Sequence, residues 1–554
     1  MRIKKAFILS LFILAIYGSP KAQNQDVVII DAYKPTISDA FKINDNPKIT
    51  DTVVEKLNLN YQITPKLYNT SFAVDPIKPA KMVGQPLTKL YKSYAKVGFG
   101  TKTTPLAEFY FNNLRSTSES IGFYYKHLSS SGKLKDYAFP GFSDNEANIF
   151  ARKFYNDHMI SGEVFYNRDV IHYYGYNPDL FPGISKDSIR QRFAKIGGQV
   201  KFMSTYKDSS RLNHSFLLRY DNLSDLYNAK ENYLKFNGTI DKKVNFFGNI
   251  FEIQKLGFIA DVDYYNDINK ADTSSTAAIR LQPHFSATYD ILKFDIGLNA
   301  SIATGEESKF HLYPDVNINV NIYNNIFILY GGITGELKRN NLIDLSEENP
   351  FINTSLPLAF SNSKFKFFAG FKGCLSSYLS FNASISKTTI ENMPLFVNDT
   401  SSVLLNRFTV VYDKVGVFNT HAEITYQKLE KFKFMLISNF YQYTTTNELY
   451  AWNKPNMDVK LSFNYNLKNK IIVKADIFAI NASDAKKYIP GGTPDVKPIH
   501  MKGTFDVNLG MEYRYTKILS AFLNFNNIGS VNYKRWYNYP TYGFTVIAGV
   551  TYAF

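Results

Sequence analysis

Cysteine is almost missing from this chain. Cys374 is the only one in 554 residues, so no intramolecular disulfide can hold the fold together. Tryptophan is scarce too, at 2 residues against 40 Tyr and 46 Phe. Past residue 22 there is no run of eighteen apolar residues, which excludes a membrane-spanning helix. Signatures of catalysis are equally absent: no Gly-x-Ser-x-Gly, no His-Glu-x-x-His, no phosphate loop and no calcium-loop spacing. The histidines stand singly (His127, His158, His172, His214, His284, His311, His421, His500), and none has another histidine at i+2 or i+4. No enzymatic activity, metal or cofactor is expected from these residues.

Alternation is what the chain has in quantity. In 292–302, Leu292, Phe294, Ile296, Leu298, Ala300 and Ile302 alternate with Lys293, Asp295, Gly297, Asn299 and Ser301. The same period of two runs through 315–322, 457–465 and 504–515. Aromatics make up 16% of the chain, yet the mean hydropathy is −0.22. A transmembrane antiparallel β-barrel reconciles the two: apolar and aromatic residues outside, polar residues inside, strands of roughly ten residues. A soluble sandwich also alternates, but so many strands would make several domains, and no linkers break the chain after residue 90.

The connections carry the same message. Short turns fall near 115–117, 156–158, 205–209, 240–246, 289–292, 322–325, 375–377, 429–431, 467–469 and 516–518. Between them lie longer connections near 130–145, 171–187, 267–276, 342–363, 391–414, 446–456, 483–500 and 527–541. Three more, at 102–105, 222–226 and 304–308, are short on that side as well. The parity holds throughout and yields 22 strands, with the strand near 92–101 closing against 542–554.

Both ends fit an exported outer-membrane protein. Arg2, Lys4 and Lys5 precede an apolar stretch over 6–17, and small residues over 18–22 supply a cleavage site, giving a signal peptide over 1–22. At the other end, Tyr542, Phe544, Val546, Ala548, Val550, Tyr552 and Phe554 form one face of a last strand. This aromatic ending, with Tyr552 and Phe554, resembles the closing strand of bacterial outer-membrane barrels, which implies recognition by the barrel-assembly machinery. The formal charge of +15 includes four cations of the signal. With an export signal and no clustered basic helix, it points to anionic lipid headgroups or anionic solutes rather than nucleic acid.

Over 91–554 the chain resembles the barrel of TonB-dependent receptors. The segment Asn526-Asn-Ile-Gly-Ser-Val-Asn-Tyr-Lys-Arg-Trp-Tyr-Asn-Tyr-Pro540 carries the resemblance, with Ala451-Trp-Asn-Lys-Pro455 and the turn Asn466-Leu-Lys-Asn469. It departs at the other end, because 23–90 is far shorter than that family's plug domain. This segment is rich in Pro and Asp and reads as extended. Asp26, Val27, Val28, Ile29 and Ile30 are similar to a TonB box, which pairs with an energising partner by strand addition. The rest of 23–90 reads either as a small plug in the lumen or as a periplasmic tether.

Function is therefore expected on inward faces and loops. Asp295, Asn299, Asn317, Asn319, Asn321, Asp458, Lys460, Asp506, Asn508, Glu512 and Arg514 would line the lumen. His421 and Glu423 share a face, as a lumen hydrogen bond rather than a metal site. Tyr173, Tyr174, Tyr176, Trp536 and Tyr537 form a possible ligand rim, although interfacial girdles enrich Tyr equally. The resemblance implies solute binding or uptake across the Gram-negative outer membrane, with a TonB-type protein or a surface lipoprotein as partner. The alternative is a plugless interaction barrel serving an outer-membrane assembly or secretion complex.

Overall fold

The computed structural model describes residues 90–554, apart from 114–115, 207–209, 270–272, 306–307 and 488–496. The expected signal peptide over 1–22, the segment up to residue 89 and the box-like residues Asp26, Val27, Val28, Ile29 and Ile30 lie outside the described residues.

Among the described residues, 22 antiparallel strands pair in a single closed sheet. Ser93–Gly100 closes against Thr545–Ala553, with Val97 opposite Val550 and Gly98 opposite Gly549. The seam is tight: a Cβ on Gly549 would lie 2.0 Å from the Val97 carbonyl oxygen. Among the described residues no helix is long and apolar enough to cross a membrane. The period of two becomes two surfaces. In Leu292–Thr304, Ile296 is 50% exposed on the outside, whereas Ser301 is fully buried on the inside beside Asn299. Apolar side chains face lipid because the inner wall is where polar groups find partners.

At the end where Ser93 and Ala553 lie, here the terminal end, most connections are short, 244–252 being an exception. Asp290, Asn324, Asn325, Lys468 and Asn469 take positive φ there, a conformation that Asn and Asp tolerate best. Strands reach 20 residues in Leu379–Asn398 and 21 in Phe408–Lys428, not the ten expected. A 21-residue strand runs roughly 70 Å, well beyond the ~30 Å of hydrocarbon that a barrel must cross. These strands continue past the lipid belt toward the opposite, loop end. The connection expected near 267–276 shrinks accordingly, because Ile253–Ile268 and Thr273–Tyr289 nearly meet.

Three features of the loop end were not expected. Ser483–Lys487 and Lys497–Met501 form a separate hairpin, and Lys534–Trp536 with Tyr539–Pro540 forms another. The connection 340–359 contains a helix, Leu342–Glu348, capped by Asn341, whose side chain accepts from the Asp344 amide at 3.3 Å.

Candidate functional site

The loop end is occupied by a core of its own. Leu342, Ile343, Leu345, Ile352 and Leu356 of the 340–359 insert are buried together with Phe193, Leu223 and Ala229 from one side of the barrel. On the other side they meet Phe396, Phe408 and Val410, and Trp536 and Tyr539 of the last loop complete the cluster. Phe193 and Phe408 lie on strands nine or more positions apart around the sheet. The cluster therefore bridges the mouth rather than lining one wall.

Aromatic geometry fixes this core. Phe351 stacks on Tyr539 with ring centroids 3.6 Å apart, and Trp536 meets Phe396 edge-on at 5.1 Å. Tyr174 approaches Tyr539 at 4.8 Å and donates its hydroxyl to the Pro540 carbonyl at 2.9 Å. Tyr173 is 1% exposed. Its hydroxyl donates to the Ile352 carbonyl at 2.8 Å, and its own carbonyl accepts from the Asn406 amide at 2.7 Å. The Tyr539 hydroxyl donates to the Asn406 carbonyl. The Arg407 guanidinium lies 4.5 Å from the Tyr173 ring and 4.7 Å from the Tyr227 ring. Burial pushes the Tyr173 phenol up, against the opposing charge of Arg407, and burial likewise raises Tyr539 well above its usual range. Both hydroxyls therefore stay protonated and keep donating.

Polar bolts tie the insert to the barrel wall. The buried Glu231 carboxylate accepts from the Asn341 side chain at 2.9 Å and from the Leu342 amide at 2.5 Å. Opposite Glu231 in register lies Asp267, which pairs with Arg339 at 2.5 Å out of solvent. Thr354 donates to Asp225 at 2.6 Å, and Asp225 also accepts from Gln191 at 3.0 Å. Lys195 pairs with Glu347, and Lys454 with Glu348. A second buried group around Trp452, Leu395, Val397 and Val415 stiffens the neighbouring strands, with the Trp452 indole donating to Glu448 at 2.6 Å.

Below this core many inward side chains pair with one another. His421 bonds Asn439 at 2.8 Å, and Asn439 donates to Asp458 at 3.2 Å, while Glu423 stands 3.9 Å from His421. Lys96 and Glu108 lie 3.6 Å apart, and Gln199 donates to Glu163 at 2.6 Å. Among the described residues no group of three or more His, Cys, Asp or Glu is placed to hold a metal ion. Behind the insert a cavity of about 1270 Å3 is walled by Thr273, Thr276, His311, Arg339, Phe360 and Glu391. A smaller one of about 320 Å3 lies between Tyr137, Phe139, Tyr176 and Ile189, with Lys133 and Lys186 beside it.

The expected rim residues thus come together. Trp536 is buried in that core with Tyr174 and Tyr537 partly buried against it, while Tyr173 and Tyr176 are buried in an adjoining group with Ala138 and Ile189, against which Tyr174 also packs. Tyr552 and Phe554 stand exposed on the lipid face at the terminal end, 5.6 Å apart. Sequence reasoning missed Phe351, Asn406, Arg407 and the helical insert. The available signal was the apolar sequence Leu342, Ile343, Leu345 and Phe351, Ile352 within a connection where polar residues are the rule.

No family model matches the chain, and no curated protein matches it in sequence. Solved structures match it in shape. The pyoverdine outer-membrane receptor FpvA from Pseudomonas aeruginosa PAO1 superposes with a TM-score of 0.63 at 12% identity, covering 85% of this chain and 79% of that one. The FrpB iron transporter from Neisseria meningitidis gives 0.62 at 10% identity, covering 84% and 82%. The ferric-catecholate import receptor Fiu from K12 E. coli gives 0.59 at 11%, covering 85% and 82%. The likeness is one of fold: the described residues of 90–554 build a closed 22-stranded barrel similar to those of these outer-membrane receptors.

Proposed function

We propose that this chain is a receptor-type barrel of the Gram-negative outer membrane that binds a solute at its loop end and takes it across. The loop end faces outward and the terminal end faces the periplasm. The observation that carries the reading is the bridged mouth: an ordered core of Tyr173, Phe351, Trp536 and Tyr539 sits where a diffusion pore would be open. Passage then requires the insert 340–359 to move, a gated event suited to a receptor. Asp26, Val27, Val28, Ile29 and Ile30 would engage a TonB-type energising protein by strand addition. Part of 23–90 would occupy the lumen, and Tyr552 and Phe554 would be read by the barrel-assembly machinery. Ferric siderophores, the cargo named for several structural neighbours, are the first solutes to test.

A second reading is supported by the same residues. The aromatic side chains of the rim make intramolecular contacts, which suits an interaction barrel in an outer-membrane assembly or with a surface lipoprotein. Growth of a deletion strain on limiting ferric siderophores, cobalamin and oligosaccharides separates the two. A defect on one solute, restored by the full chain and not by a chain lacking 23–90, supports uptake. Unchanged growth on every solute, with loss of another outer-membrane protein, supports the interaction barrel.

A further inference from the structure

Among the terminal-end connections, 244–252 is long and apolar. It carries Phe246, Phe247, Ile250 and Phe251, with the short 3-10 helix Gly248–Ile250 at its tip. Its shape is fixed from below by one side chain. The buried Gln254 carboxamide accepts from the amides of Phe246 and Phe247, both at 3.1 Å, and donates to the Gly248 carbonyl at 2.9 Å. Gly248 has a φ of 57°, which lets the chain reverse there. The segment is thus ordered while leaving Phe246 65% exposed and Ile250 62% exposed. A turn in water has no use for such a surface.

The turn folds back onto the outer wall. Phe247 meets Phe285 at 5.8 Å, and Phe251 meets Phe294 at 5.5 Å and Tyr289 at 6.2 Å, all edge-on. Phe285, Tyr289 and Phe294 share the apolar face that alternates with His284, Ser286 and Asp295, so they belong to the lipid belt. The exposed apolar residues of the turn are continuous with that belt. Exposed Lys242, opposite the outward Leu256, lies near the end of the preceding strand, at the level where lipid phosphates lie.

We infer that 244–252 is a membrane-seated foot: Phe246 and Ile250 insert among the acyl chains of the leaflet at the terminal end, with Lys242 on its anionic headgroups. This holds the barrel at fixed depth on that side. The two native tryptophans make the test clean, since Trp452 and Trp536 are both buried at the loop end. The full chain carrying Phe246→Trp is reconstituted in phosphatidylcholine–phosphatidylglycerol vesicles, with or without bromine on the acyl chains. The inference expects blue-shifted added emission that bromolipid removes and iodide does not, while wild-type emission is indifferent to bromolipid. An added emission that is red-shifted and lost to iodide places the turn in water and overturns the inference. Emission protected from both quenchers means protein covers the turn, and overturns it equally. Ile250→Trp repeats the measurement should Phe246→Trp fail to fold.

Discussion

The Tyr173 hydroxyl donates to the Ile352 backbone carbonyl at 2.8 Å, joining two loops 179 residues apart. With the Asn406 amide on its own carbonyl, Tyr173 ties three loops at one point. Such a contact costs the chain entropy in three places. It is worth that cost only if the loops act as a unit.

Removing the hydroxyl alone should be mild. Tyr173→Phe keeps the ring under Arg407 and loses one hydrogen bond, about 1 kcal/mol. Hydrogen exchange over 340–359 should rise while the barrel strands stay protected. Equal exchange in both proteins would mean that the insert is held without Tyr173.

Trp536 is the larger anchor. Trp536→Ala removes its contacts with Phe396 and Phe408 and should weaken the mouth core by roughly 3–5 kcal/mol. Limited proteolysis of intact vesicles should then cut within 340–359 or 399–407. Cleavage unchanged from wild type would contradict the packing described for this loop.

The Arg339–Asp267 pair is buried, so removing one partner strands the other. Arg339→Met alone should cost roughly 3–5 kcal/mol, read as a lower urea midpoint of tryptophan emission. Arg339→Met with Asp267→Asn should recover much of the loss. Additive losses would mean that the two side chains do not depend on each other.

At the seam, Gly549→Val places a branched side chain against the Val97 carbonyl. Closure should fail, seen as loss of the compact, heat-modifiable band on gels. A normal band would show that the seam has room the geometry denies.

The barrel was legible in the sequence because a bilayer imposes a single rule on every strand. Ile296 and Ser301 must point opposite ways, and the alternation records it. Strand parity then follows from turns such as Asn324–Asn325, whose residue types reveal left-handed backbone. The mouth core was not legible in this way. Beyond the lipid belt both faces of a strand are covered, as at Leu395, Phe396 and Val397, all buried, and the period of two disappears. Tyr173 and Trp536 stood out by residue type alone, but their joining through Ile352, Phe351 and Asn406 depends on loops distant in sequence. Arg407 gives no local hint that it will cover two tyrosine rings.

Two closures act in series on this account: the loop core at the mouth and, as proposed, part of 23–90 in the lumen. With the mouth opened by Leu342→Asp and Trp536→Ala and the N-terminal segment retained, conductance should stay low. A wide steady pore in that protein would mean that 23–90 does not plug the lumen, and the segment would be a tether.

Single-channel conductance in planar bilayers of a chain lacking residues 31–90, with its loops intact, tests the bridged mouth most directly. The account expects this protein to remain closed, and adding Leu342→Asp and Trp536→Ala to open it into a wide, steady pore. A large open conductance from the deletion alone would contradict the claim that the core around Tyr173, Ile352, Trp536 and Tyr539 closes the barrel.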